Sequence, residues 1–446
     1  MRLTLTALLA VMMIGIGVPA FAELTNVEVG GSIRIRGNYY TPAVLTADPD
    51  DYEGLAFTEQ RTTINVKADF TDDVTAFIEL DAYDEWGNDF RENAKTGQAQ
   101  SGSQDVHLYQ SYIEMRDAWG TDLTIRIGRQ EVLFGSEWLF GNNDTAGAFT
   151  GLYHDGVTVA LNLDDVTLTG VFSKVSETGS SEEDGDVDLY ALYASYTGIE
   201  DLTLDGYVAF LRSAAGPTQG NEETVELVTV GFRAAGEAGI LDYEGEIAYQ
   251  TGQAMVAYGV SGASNVDYDA IGLNVELGFN LDNDSQTRIF IGAALFEGNS
   301  DDGEDVGFNR LLSDWEYSEF LGNTDLSNII VIRAGVSCQL TEKIGILGVA
   351  SYFMEEEEDA ALFGGGGGGG SRGTSSSNDD ELGVEIGLYL TYDYSEDLYF
   401  EFGYAHFFTD DGLEDGALIA GNGMSSIGGM GDDDADYIYA ETGISF

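Results

Sequence analysis

The chain has 446 residues, with 79 acidic side chains against 18 basic ones and a formal charge of −61. This balance excludes a nucleic-acid-binding surface, which needs a basic face. A single Cys, Cys338, excludes an intramolecular disulfide and a Cys-based zinc centre, and three His are too few for a His-rich metal site.

With 43% hydrophobic residues the chain is too apolar for a disordered polymer, so its acid belongs on the outside of an ordered fold. At the N-terminus, Arg2 precedes an apolar run from Leu5 to Val18, and Pro19-Ala20-Phe21-Ala22 follows. A positive start, a short apolar stretch and Ala-x-Ala predict a secretory signal peptide over residues 1–22. The run is shorter than the roughly 20 residues a transmembrane helix needs. Residues 23–446 then form one domain. The whole chain's 59 Gly, 24 Tyr and 23 Phe beside 4 Pro suit a bacterial outer-membrane β-barrel.

Period-two alternation predicts strands over 26–40, 61–70, 74–83, 105–116, 123–130, 154–162, 166–173, 187–196 and 202–211. It continues over 226–234, 240–251, 268–280, 287–296, 329–338, 344–353, 382–394, 398–407 and 436–446. That makes eighteen strands, or sixteen if one pair fails to span, most close to the roughly 9–11 residues that cross a bilayer on a tilt. Short turns such as Thr71-Asp72-Asp73, Leu163-Asp164-Asp165 and Thr341-Glu342-Lys343 join every second pair. The other connections are long: 41–60, 84–104, 131–153, 174–186, 212–225, 252–267, 297–328, 354–381 and 408–435. A soluble sandwich has no reason to alternate in this way. The pattern predicts an all-β fold, a transmembrane antiparallel up-and-down β-barrel with short periplasmic turns and long extracellular loops. The glycine run 364–370 falls within one of the long loops, so it is read as loop and not as a linker between domains.

One face of the strands is apolar, as in Ile64, Val66, Ala68 and Phe70, in Ile271, Leu273, Val275, Leu277 and Phe279, and in Leu382, Val384, Ile386 and Leu388. That face meets lipid and lipopolysaccharide. The other face lines the bore, with Arg34, Arg36, Arg61, Lys67, Arg116, Arg126, Arg233, Arg288 and Arg333 as its bases. Its acids are Glu79, Asp81, Glu114, Glu244, Glu246, Glu276, Glu385, Glu401 and Glu441. Most of these bases precede residue 130, which predicts arcs of opposite sign and a transverse field across the bore. The alternative is that bases and acids pair and brace a filled interior. The last strand ends on Phe446, resembling the C-terminal signal that the barrel-assembly machinery reads.

The stretch 123–157 begins Leu123-Thr124-Ile125-Arg126-Ile127-Gly128-Arg129-Gln130-Glu131 as a strand, then breaks into Phe134-Gly135-Ser136-Glu137-Trp138-Leu139-Phe140-Gly141. A strand with Arg on its polar face, feeding an irregular aromatic segment, predicts a channel wall with an inward-folded loop. Glu131, Glu137, Trp138, Phe140 and Phe149 are the candidate constriction residues, and Arg126 with Arg129 sets the charge there. This segment resembles the motif of alginate-export-type outer-membrane β-barrels. The end of the motif is spread here into Ala148-Phe149-Thr150-Gly151-Leu152-Tyr153-His154-Asp155-Gly156, without an Arg before the Phe. The resemblance implies a channel that exports polysaccharide through a bore rich in Arg and Lys.

The acid excess concentrates in loops, as in Asp48-Pro49-Asp50-Asp51, Glu182-Glu183-Asp184, Asp301–Asp305, Glu355–Asp359 and Asp432-Asp433-Asp434. Such oxygen clusters suit Ca²⁺, although no Glu completes an EF-hand after Asp301, and plain solvation is the simpler reading. The sequence contains no His-Glu-x-x-His or P-loop. His154 beside Asp155 has no triad geometry by adjacency alone. The leading expectation is a passive porin for small hydrophilic solutes or ions, favouring cations at its acidic mouth. It needs no enzyme chemistry and no cofactor. The alternatives are an alginate-like export channel, whose polyanion the acidic mouth would repel, and a structural or adhesive surface barrel with cation-binding loops.

Overall fold

The computed structural model describes residues 24–41, 54–87, 106–142, 151–177, 186–213, 225–258, 262–298, 305–312, 316–321, 327–357, 361–362, 373–374, 379–414 and 434–446. Eighteen long strands make up the wall. They begin with β1 (Asn26–Thr41), β2 (Leu55–Thr71), β3 (Val74–Glu85), β4 (His107–Met115), β5 (Leu123–Gln130) and β6 (His154–Asn162). Next come β7 (Val166–Ser176), β8 (Val187–Ile199), β9 (Leu202–Ser213), β10 (Val225–Ala238), β11 (Leu241–Tyr258) and β12 (Gly262–Asn280). The last six are β13 (Arg288–Phe296), β14 (Ile329–Thr341), β15 (Ile344–Met354), β16 (Glu381–Asp393), β17 (Leu398–Thr409) and β18 (Ala435–Ser445). Each pairs antiparallel with its sequence neighbours, and β1 pairs with β18 from Ser32↔Ser445 to Thr41↔Asp436. The sheet is therefore a closed barrel with no free edge. A two-residue strand, Asp305–Val306, adds parallel to β12, and Ala361–Leu362 pairs with Gly373–Thr374 apart from the wall. Among the described residues no helix is long and apolar enough to cross a membrane.

The eighteen expected strands coincide closely with those observed. The largest differences lie at two of the long connections. The second strand begins at Leu55, six residues before the expected start. The expected loop 252–267 is mostly strand, because the β11–β12 ladder runs without a break from Leu241↔Phe279 to Tyr258↔Gly262. Gly252 and Gln253 read as the start of a loop, but backbone pairing needs no apolar side chain. The hairpin continues where the lipid-facing pattern stops.

The alternation sorts as expected. Ile64, Ile78, Ile113, Leu277, Ile386 and Leu388 are exposed on the exterior, while polar side chains of opposite parity point inward. Leu382 is a correction: it is fully buried inside the barrel. Gly383, at φ 142°, sits where the β15–β16 register shifts between Phe353 and Met354, and this bulge turns Leu382 inward.

Inside the wall, aromatic rings lie flat over glycines of neighbouring strands. A Cβ on Gly403 would sit 1.9 Å from Cε1 of Tyr439, and one on Gly231 would sit 2.0 Å from Cζ of Tyr207. Gly403→Val should therefore lift the Tyr439 ring from the wall and cost about 1–3 kcal/mol by overpacking. Urea unfolding of the barrel in lipid vesicles should show that loss.

Candidate constriction of the bore

After Gln130 the chain leaves the wall and folds inward. The Phe134 amide donates to the Phe140 carbonyl at 3.0 Å and the Glu137 amide to the Phe134 carbonyl at 2.9 Å, closing a compact loop. Polar anchors tie this loop to the wall. The Tyr109 hydroxyl donates to Glu131 at 2.6 Å, the Asn142 amide to the same carboxylate at 3.2 Å, and the Ser136 hydroxyl to Glu246 at 3.1 Å. Phe134 stacks on Tyr193 at 4.3 Å, and Trp138, Leu139 and Phe140 are almost wholly buried. Phe149 lies outside the described residues.

A second segment, which the sequence reading treats as plain loop, completes the narrowing. Residues 307–312 and 316–321 also fold against the inner wall. The Phe308 amide donates to the Glu297 carbonyl at 2.9 Å, the Asn309 amide to Gln250 at 2.7 Å, and the Tyr317 hydroxyl to Asn274 at 3.0 Å. The Ser318 hydroxyl and the Glu319 amide both donate to the Glu385 carboxylate, and the Tyr389 hydroxyl donates to Glu319 at 2.8 Å. Phe320 meets Phe407 edge-on at 5.8 Å. The two segments join where Trp138 lies 5.4 Å from Phe296 and 5.8 Å from Phe308. Small wall residues make the room: Ala209, Ala248, Ala270 and Ala294 belong to this apolar cluster, and a Cβ on Gly272 would strike Phe308 at 2.5 Å. The signal was present in the sequence. Phe308, Leu311, Leu312, Tyr317, Phe320 and Leu321 are too apolar for a solvated loop, and inward alanines recur on neighbouring strands.

The charged residues expected in the bore divide by environment. Arg34 and Arg36 each place Nε 2.7 Å from Glu441, and Arg61 lies 3.2 Å from Asp81. Arg126 lies 2.7 Å and Arg116 3.7 Å from Glu114, while Lys67 lies 3.5 Å from both Glu28 and Asp69. Arg233 bridges Asp205 and Glu244, Arg288 bridges Asp242 and Glu276, and Arg333 joins Glu276 at 2.9 Å. The expected arcs of opposite sign are thus replaced by bases interleaved with acids. Ion pairs of this kind hold the wall's geometry more than they add stability.

Arg129 needs a correction. Arg126 and Arg129 are three residues apart on one strand, so they fall on opposite faces. Arg129 stands opposite Asp155, on the face of Ile127 and Ile113, and its guanidinium meets that carboxylate at 2.7 Å over the Tyr153 ring. It is outside the bore. The same parity separates Asp155 from His154, whose Nδ1 lies 3.1 Å from the Ser173 hydroxyl inside the wall. The two are therefore not a catalytic pair.

Seven further carboxylates in the bore are held by neutral donors. Glu59 accepts from Asn38 and Tyr83, Glu79 from Gln110, and Glu131 from Tyr109 and Asn142. Glu246 accepts from Ser136 and Tyr207, Glu319 from Tyr389, Glu385 from Ser318, and Glu401 from Tyr439. These bonds fix the position of each carboxylate without supplying an opposite charge. Most of the acidic loop residues, including 48–51, 182–184, 301–304 and 432–433, lie outside the described residues. Among the described residues no group of three His, Cys, Asp or Glu is arranged to hold a metal ion.

The family model described as "Alginate export" matches residues 25–422. No curated protein sequence matches the chain. Solved structures with the same fold include Pseudomonas aeruginosa OccK8 (OprE), 12% identical with TM-score 0.57, covering 94% of this chain and 98% of that one. Acinetobacter baumannii OccAB1 is similar at 13% identity and TM-score 0.56, covering 96% and 99%. Pseudomonas aeruginosa OpdQ is 10% identical with TM-score 0.56, covering 95% and 99%.

Trp138→Ala should empty the joint between the two inward segments at a local cost of about 3–5 kcal/mol. Hydrogen exchange should then accelerate at the Phe134 and Glu137 amides while the barrel ladder stays protected.

Proposed function

Because the chain belongs to the alginate-export family, we propose that this outer-membrane, porin-like barrel is a passive channel for small hydrophilic solutes and ions, favouring cations. The observation that carries the preference is the set of seven bore carboxylates held by phenols, hydroxyls and amides. Bases on the wall already share their charge with acids, so the net field at the narrowing is negative. Low-dielectric walls focus such a field and raise the local concentration of cations. Passive diffusion needs no catalytic residue, only a bore, a narrowing and charge along the path. The short turns would face the periplasm and the long loops the cell exterior.

Family membership itself favours a second reading, export of an anionic polysaccharide. That task calls for bases free to bind the polymer. Here Arg34, Arg36, Arg61, Arg126 and Arg233 are each committed to a carboxylate.

The deciding measurement is the reversal potential of the refolded protein in a planar bilayer under a KCl gradient. Cation preference is expected. Anion preference would overturn it and revive polyanion export, and absence of conductance would sink the channel reading altogether.

The preference should also depend on pH. Burial pushes the Glu319 carboxyl up from its ordinary range. A raised carboxylate is charged above its pKa and neutral below it, so this charge is lost early as pH falls. Cation preference should therefore decline in mildly acid solution, before ordinary carboxylates titrate. Glu319→Gln should flatten that part of the reversal-potential curve.

A further inference from the structure

The inward segment 316–319 roofs a cavity of about 480 Å³ against β13–β18 and β1. We infer that this cavity is a binding site for an organic cation, a primary ammonium or guanidinium on a short aliphatic stem. The inference extends the channel reading, on which its role in transport rests. The size lies within the range of small-molecule pockets and is too large for a bare metal ion held by oxygen ligands.

The lining divides into parts that match such a ligand. Glu319 and Glu401 supply carboxylates and Glu385 a further carboxyl acceptor, while the two cations on the lining, Arg36 and Arg333, are bonded to Glu441 at 2.7 Å and to Glu276 at 2.9 Å. A positively charged head therefore enters a region with surplus negative charge. Leu347 and Val349 provide an apolar strip beside those carboxylates, suited to methylene groups. Aromatic faces complete the site, and the wall already uses them for guanidinium. Arg36 lies 5.2 Å over the Tyr439 ring, and Arg333 lies 5.3 Å over Phe290. Tyr389 presents its ring to the cavity while its hydroxyl holds Glu319 at 2.8 Å, which fixes the carboxylate before any ligand arrives. An anion of the same length would face the carboxylates of Glu319 and Glu401. A neutral diol would gain the apolar contact without the charge.

Calorimetric titration of the full chain in detergent tests the site independently of conductance, with 1,5-diaminopentane as the probe and glutarate and pentane-1,5-diol as controls. The diamine should bind, with neither control matching it, and Glu319→Gln should weaken binding by about tenfold. Glu401→Gln, on the adjoining wall, should weaken it comparably and guards against misfolding of the inward segment in the first variant. Equal binding of the diol or of glutarate would overturn the inference. So would absence of diamine binding, or unchanged binding in both folded variants. Diamine binding by a barrel that conducts no ions would uphold the site and sink the channel. Conductance without binding would do the reverse.

Discussion

Hydrocarbon offers a backbone amide no hydrogen-bond partner, and the architecture follows from that constraint. A strand in lipid must be paired on both sides, so the sheet must close. Closure here is made by β1 and β18, whose ten-residue register joins the two ends of the described wall. Once every strand is paired, side-chain parity has only two destinations. Apolar residues such as Ile64 and Leu388 meet lipid, and Arg, Glu and Tyr meet water. The bore is thus a by-product of satisfying the backbone, and its charge is whatever the inward parity carries.

A bore lined only by polar side chains would be wide. The two inward segments narrow it, and they hold their place by apolar burial against the inner wall. Trp138, Phe140 and Phe308 bury themselves against alanines and glycines of the wall. At their margins the segments end in hydrogen bonds to carboxylates: Ser136 to Glu246, Ser318 to Glu385. The same acids therefore anchor the loops and shape the field at the narrowing. Anchoring by neutral donors adds no opposite charge at these positions, as anchoring by arginine would.

The barrel was legible because its signal is periodic and repeated. Alternation in Ile64-Asn65-Val66-Lys67 or Leu273-Asn274-Val275-Glu276 states the face of each residue directly. What failed were places where local geometry overrides period. Leu382 reads as lipid-facing until Gly383 bulges, and Arg129 reads as part of an arginine pair until parity parts it from Arg126. The 131–142 loop could be found because aromatics cluster next to a strand end. The 307–321 segment could not be found by that rule. Its aromatics are scattered among Asp and Glu, and the wall that receives them is only a scatter of alanines until the strands are aligned in space.

The seam between first and last strands has one more consequence. Gly31 and Phe446 exchange backbone hydrogen bonds at 3.0 Å in both directions, and Glu441 holds both Arg34 and Arg36 across the same junction. A slip of one residue would turn Glu441 toward hydrocarbon and strand two guanidiniums in the bore. The junction therefore proofreads its own alignment: a misaligned closure carries a buried-charge penalty, and the correct one removes it. Because Glu441 sits on β18, the strand that pairs with β1, this check acts on the one pairing that closes the wall.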